Sequence, residues 1–508
     1  MEHPRPEGNN PALTNKTSSQ KGTIRICLAG FSIALAAYFI FFLFSSLITL
    51  KYPFHLEWME GVSAIQMERI LHGESIYVEP RLEYVPLIYT PLYFYVSAGM
   101  TSLFEPHFFA LRITSFLSTL GVFALIAAML WRETKNLRAV IFSVGLFASC
   151  YALSGFWYSI ARVDMLFLFL ILLSIFFLRS KSALMIFTGG FSLYLAFLTK
   201  QSVLVFVFAV YLYFLIVSFR KSLPSFLLFM LLTSLTVIAW NVKSGGWFWY
   251  YIFKLPGTHS LRPGKIISFW TMDLLTPLFI PIFLSAYFFY DKFKYRLRDG
   301  NDFYYPVVFT GLMAISYISR MHSGGWINVL IPAHAAIAIL AGMGFSRLEK
   351  IFSNKKNIYL YSISLICLLH FVRIIPWYRE FDPPGKEDVM AGRNLAKYIS
   401  NVKGEVFIPS HPWLNDIAGK KTFAHRQAIL DIMRSDDEKT RNAFTEEFTR
   451  AIQSHRFSVI IMDSPDSISG ITRYYRPDQR VFEEGSKMFY PMTGMKTRPE
   501  YALVPDKK

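Results

Sequence analysis

Long apolar runs alternating with short polar segments organise the first three quarters of the chain. They predict helices at about 26–50, 112–131, 138–154, 164–179, 183–198, 202–219, 223–241, 267–290, 303–319, 327–345 and 357–375. Runs of roughly 16 to 25 residues, rising 1.5 Å per residue, match a hydrocarbon layer about 30 Å thick. The pattern is that of a polytopic α-helical membrane protein with about 11 transmembrane helices over residues 26–376. The stretch 51–111 is too long for a simple connection and reads as a large first outer loop. Within it Ile88 to Phe104 is apolar, but Pro86 and Pro91 break it from what precedes, so a helix lying in the interface is expected there. Beyond Trp377 the period changes. A helix (Lys386–Ser400), a strand (Glu405–Pro409), two helices (His425–Arg434, Asp437–Ser454) and a strand (Phe457–Met462) predict a small α/β domain over 377–508. The polar stretch 1–25 reads as a disordered cytoplasmic tail.

Composition agrees with a membrane location: 53% of the 508 residues are hydrophobic and 17% charged, against about 25% charged in soluble domains. A net charge of +17 invites a nucleic-acid reading, but the basic residues form no stripe. They gather in alternate connections. The segments assigned to the cytoplasm hold 19 Lys/Arg in 62 residues, and those assigned outside hold 10 in 106. This asymmetry orients the bundle with its N-terminus inside and the C-terminal domain outside. The cysteines, Cys27, Cys150 and Cys367, lie far apart in apolar runs and read as buried thiols, with neither a disulfide framework nor a zinc spacing.

That orientation puts the polar residues at helix ends on one face. They are Glu57 and Glu60 in the first loop, Arg162 and Asp164, Lys200 and Gln201, and His322 and Asn328, with Tyr89 and Tyr93 nearby. Singly, each has a plain reading as an interfacial ion pair, a snorkelling lysine or a loop histidine. Together, carboxylates with Lys, Arg and His at one interface can bind a phosphate head group and take a proton from a hydroxyl. That chemistry fits glycosyl transfer from a lipid-phosphate sugar, with Lys200 and Arg162 neutralising the departing phosphate. In the C-terminal domain His411, Trp413 and Asp416 follow a predicted strand and are candidates for the acceptor side.

Several motifs occur in order: EWMEG (Glu57 to Gly61), RILHGESIY (Arg69 to Tyr77), PLYF (Pro91 to Phe94), Arg112 at the head of the second span, ARVDM (Ala161 to Met165) and TKQ (Thr199 to Gln201). In these the chain resembles the membrane glycosyltransferases of the GT-C fold, particularly the bacterial branch related to protein mannosyltransferases and aminoarabinose transferases. The resemblance implies a polyprenyl-phosphate sugar donor, a first-loop acidic residue as catalytic base, and an outer C-terminal domain. It carries the base to Glu60, which precedes Gly61, with Glu57 as the alternative. Many relatives set Asp and Glu side by side, whereas Met59 precedes Glu60 here. It also places Arg112 on the donor side. Carboxylates alone do not select an ion, so a divalent metal ion stays open. The sugar, the acceptor (glycan, lipid or protein) and the stereochemistry stay open too. The competing reading is a transporter or lipid flippase without catalytic activity.

Overall fold

The computed structural model describes residues 11–104, 108–295, 303–353 and 358–506. A helix stands on each of the eleven apolar runs: Pro11–Leu50, Phe108–Thr134, Leu137–Leu153, Asp164–Leu178, Ala183–Thr199, Val203–Val217, Phe219–Lys243, Thr276–Tyr295, Tyr304–Met321, Ile331–Ser353 and Ile358–Tyr378. Among the described residues five stretches are long and apolar enough to cross a membrane by length and composition, and five further apolar helices are shorter. The span Ile327–Phe352 is 94% buried and forms the centre of the bundle, whereas Phe219–Lys243, 17% buried, lies at its edge. Alanine explains the central position. Ala333, Ala335, Ala336, Ala338 and Ala341 are all buried, and small side chains let neighbouring backbones approach. At the far end of that helix Glu349 is held by Arg138 and by Asn136, the residue that caps Leu137–Leu153.

Two features depart from expectation, and the two described cysteines agree with it. Residues 11–25 continue the first helix instead of forming a disordered tail, and residues 1–10 lie outside the described ones. The eighth span is entered through a wide-turn helix, Phe269–Leu275, and bends at Leu278 three residues before Pro281. Cys150 and Cys367 are buried free thiols, while the Cys27 side chain lies outside the described residues.

The C-terminal domain is built on a four-stranded sheet of β1 (Glu405–Phe407), β2 (Phe457–Met462), β3 (Tyr475–Arg480) and β4 (Tyr501–Pro505), in the order β1-β2-β4-β3. β1 and β2 are parallel, with Val406 opposite Val459, and the other two pairings are antiparallel. β2 is almost continuously buried, as a central strand covered on both sides should be. β3 reads Tyr-Arg-Pro-Asp-Gln-Arg, carries Pro477 and exposes all but its first residue. A polar edge strand of that kind has no apolar alternation to announce it.

This domain sits on the first loop. That loop contains the helices Glu60–Leu71 and Leu92–Met100. Ile76, Tyr77, Leu82 and Val85 share a core with Phe407, Phe423, Phe457 and Ile460. Ala424 N donates to Leu82 O at 2.8 Å, and Arg456 pairs with Glu83 at 2.7 Å. The closest approach is at Gly61, where an added Cβ would lie 1.7 Å from Trp413 Cδ1. A side chain there must push out a buried indole. Gly61→Ala is therefore expected to lower stability by about 1–3 kcal/mol, read as a lowered thermal unfolding midpoint of the detergent-solubilised chain.

Candidate active site

Glu57 and Glu60 stand at the start of one helical turn, with Glu60 N donating to Glu57 O at 2.9 Å, yet their carboxylates have different surroundings. Glu60 is fully buried and accepts four hydrogen bonds. Leu56 N (2.6 Å) and Arg112 Nη2 (2.6 Å) reach Oε2, while Arg112 Nε (3.1 Å) and Ala161 N (2.6 Å) reach Oε1. Four donors fill the usual acceptor capacity of a carboxylate. Arg112, also fully buried, gives its remaining protons to the carbonyls of Tyr52 (2.6 Å), Phe54 (2.5 Å) and, more weakly, Thr49 (3.4 Å). The pair fastens the first loop to the head of Phe108–Thr134 and to the loop before Asp164. Arg112 thus faces Glu60 and the loop backbone rather than the other polar residues of the set.

Glu57 is 1% exposed but lightly bonded. Among the described residues its carboxylate takes Met59 N at 3.1 Å and Arg162 Nη1 at 3.4 Å, both on Oε2. Burial pushes its pKa up to about 7. The Arg162 guanidinium opposes that rise and the Glu60 charge adds to it. A carboxylate titrating near neutrality, with acceptor capacity in hand, is suited to take up a proton.

Arg162 is presented by a sharp reversal after Leu137–Leu153. Phe156 adopts a left-handed backbone (φ 59°) and the three-residue turn Trp157–Ser159 follows. The guanidinium bridges Glu57 and the Tyr89 hydroxyl (3.1 Å) and lies over the Tyr89 and Trp157 rings. Asp164 accepts from Trp157 Nε1 (3.0 Å), Asn328 Nδ2 (3.0 Å) and Lys200 Nζ (2.9 Å). Lys200 in turn sits against the faces of Tyr89 and Phe167. A continuous polar chain therefore runs from Glu57 through Arg162 and Tyr89 to Lys200, Asp164 and Asn328. At the Lys200–Asp164 end lies a small cleft of about 10 Å3, lined besides by Phe167, Ile315, Ser319, Val329 and Pro332. Charged side chains and mostly apolar ones meet there.

The remaining expected residues fall elsewhere. Gln201 Nε2 donates to Ile88 O (2.9 Å) and Ile252 O (3.2 Å), fixing the backbone beside Tyr89. Tyr93 bonds Leu111 O and Ser115 inside the bundle. His322 pairs by backbone with Leu261, and its ring is held below the ordinary imidazole pKa by partial burial and by His259, with no hydrogen bond to the polar chain. His411 donates to or accepts from Asp463 at 3.0 Å, and Trp413 packs on Phe54, Phe108 and His55. Among the described residues no group of three or more His, Cys, Asp or Glu side chains is placed to hold a metal ion, so no metal-dependent step is derived.

Sequence reasoning missed the roof over Glu57, which comes from the far end of the chain. Thr493 N donates to Leu56 O at 3.0 Å, Thr493 Oγ1 bonds Gly155 O, and Glu57 and Thr493 form a backbone bridge. Gly494 follows with φ +77°, and an added Cβ would stand 3.0 Å from Glu57 Oε1 and 3.3 Å from Trp58. In sequence this segment, PMTGMK, is an unremarked piece of a polar tail.

No family model and no curated relative matches the sequence. Solved structures do match. ArnT from Cupriavidus metallidurans, bound to undecaprenyl phosphate, superposes with a TM-score of 0.59 at 14% identity, covering 92% of this chain and 97% of that one. Its apo form gives 0.58. The archaeal oligosaccharyltransferase AglB from Archaeoglobus fulgidus, in complex with an inhibitory peptide and a dolichol-phosphate, gives 0.54 at 10% identity over 86% of this chain and 69% of that one. The chain has the GT-C fold. It is an α-helical polytopic membrane protein with a large first loop and a small α/β domain, as expected from the sequence.

Within this GT-C fold, removing Arg112 strands a buried carboxylate. Arg112→Met is expected to cost about 3–5 kcal/mol, read as a large fall in unfolding midpoint, and adding Glu60→Gln should recover part of it. An unchanged midpoint would mean the pair is no brace.

Proposed function

We propose that this chain is a membrane glycosyltransferase that moves a sugar from a polyprenyl-phosphate-linked donor to an extracytoplasmic acceptor, with Glu57 as the base. The observation that carries this reading is the polar chain itself. A carboxylate with a pKa of about 7 is joined through Arg162 and Tyr89 to the Lys200–Asp164 pair, beside which lie the mostly apolar side chains Phe167, Ile315, Val329 and Pro332. A lipid phosphate has that division of charge and oil. The GT-C neighbours solved with undecaprenyl phosphate and dolichol-phosphate support the same ligand class.

In this reading the acceptor hydroxyl gives its proton to Glu57 while its oxygen bonds to the anomeric carbon. The bond from that carbon to the phosphate oxygen breaks, and the phosphate leaves with the electron pair. Lys200 and Arg162 stabilise the negative charge where it develops. Trp157 and Asn328 donate to Asp164, which in turn holds Lys200, and an ammonium bonded once to Asp164 has two more protons to offer. Glu60, the base the family pattern favours, serves here as the brace that sets the height of Glu57. Acceptor binding falls to the C-terminal domain, on the side of His411 and Trp413.

Glu57→Gln keeps the volume and removes the proton acceptor. It is expected to lower kcat by at least about a hundredfold with donor affinity unchanged. Because the base works ionised, kcat/KM of the native enzyme should rise about tenfold per pH unit below 7 and level off above it. Normal turnover in Glu57→Gln would remove this assignment.

The orientation is part of the proposal: the site and the C-terminal domain belong on the outer face of a bacterial plasma membrane. A periplasm-active reporter fused after Lys508 is expected to be active and a cytoplasm-active one silent. The reverse would put the donor head group on the wrong side.

A further inference from the structure

β1 and β2 run parallel, and the chain leaving their carboxyl ends carries Ser410 and His411 after one and Asp463 and Ser464 after the other. Ligands of open α/β sheets gather at this edge. Here it faces the first loop. His411 is fully buried and bonded through Nε2 to Asp463 Oδ1, and the His55 ring lies 5.0 Å away. Burial, with His411, Arg112 and His425 nearby, holds His55 neutral. Among the described residues neither nitrogen of His55 has a hydrogen-bond partner, nor do His411 Nδ1 and Trp413 Nε1. So many unmatched donors and acceptors at one buried seam call for a ligand or water that matches them.

Beside the seam, sharing Asp463, is a cavity of about 750 Å3, within the range of small-molecule sites. Four basic and four acidic side chains line it, with Arg498 paired to Glu500 and Arg480 to Glu484. Tyr490 and Tyr501 are part of its wall, as is Thr497, which is 6% exposed with an unpartnered Oγ1.

We infer that this edge and cavity bind an uncharged, hydroxyl-rich ligand of the carbohydrate class, and that this ligand is the acceptor. The second half rests on the proposed transferase reading. Balanced charge favours neither a phosphate-bearing nor a polycationic ligand. A hydroxyl both donates and accepts, as a neutral His55 requires. With Nε2–H given to Asp463, His411 presents Nδ1 as an acceptor for a second hydroxyl. Tyrosine rings suit the C–H faces of a pyranose.

The test uses the full chain carrying Glu57→Gln, in detergent without donor, so that binding is read apart from turnover. Maltohexaose and cellohexaose are the neutral probes and hexagalacturonate the anionic control, titrated by saturation-transfer difference NMR. At least one neutral hexasaccharide is expected to bind saturably and more tightly than hexagalacturonate. Asp463→Asn should weaken it about tenfold, and Tyr490→Ala about fivefold. No saturable neutral binding, tighter binding of hexagalacturonate, or indifference to both substitutions overturns the inference. Neutral binding that persists while the native chain, supplied with a polyprenyl-phosphate sugar donor, fails to transfer sugar would instead count against the transferase reading alone.

Discussion

The contact between Glu60 and Arg112 fixes the rest of the site. Both are removed from water, and two buried charges are tolerated only when their hydrogen bonds are complete. Completion takes backbone groups from three places: the loop at Leu56, the carbonyls of Tyr52 and Phe54, and the turn at Ala161. The pair thereby sets the distance between the first loop, the second membrane helix and the loop that presents Arg162. Displacing any of the three leaves an unmatched charge. Glu57, Arg162 and Tyr89 owe their relative positions to that constraint rather than to their own weak mutual contacts.

Two glutamates on one helical turn illustrate how little residue type says about role. Glu60 gives up its acceptor capacity to structure; Glu57 keeps part of its own and is pushed towards neutrality by burial. The spacing of the pair was legible in EWMEG, as was its place in a loop between helices. Their division of labour was not, because it depends on Arg112 arriving from a helix fifty residues on and on Ala161 from a loop a hundred residues on. The family pattern pointed to the residue before Gly61. Gly61 itself is explained by Trp413, whose indole occupies the space a side chain would need.

The helices were readable because each is a long apolar run, and a one-dimensional pattern is enough for an element that satisfies its own backbone. Lys200 and Asp164 were readable because charge at the end of such a run is costly and stands out. The later strands were not: β3 is polar and sits at the sheet edge, and β4 owes its place to pairing with β2. The Thr493–Gly494 roof left no trace in sequence. It is a non-local backbone contact made by small residues in an otherwise ordinary tail.

That roof bears directly on the proposed base. The pKa of Glu57 is raised because water is kept from it, and part of what keeps water away is the C-terminal segment at Thr493 and Gly494. In the proposed reading an acceptor hydroxyl must reach the same carboxylate. Solvent exclusion and substrate access therefore meet at a single stretch of chain, which belongs to the domain proposed to hold the acceptor. The backbone cover is fastened by Thr493 to Leu56 O and Gly155 O, and Leu56 N donates to Glu60, so cover and brace meet at Leu56. In the proposed reading an incoming acceptor would replace that cover at Thr493 and Gly494, and would itself supply the exclusion of water on which the raised pKa of Glu57 depends.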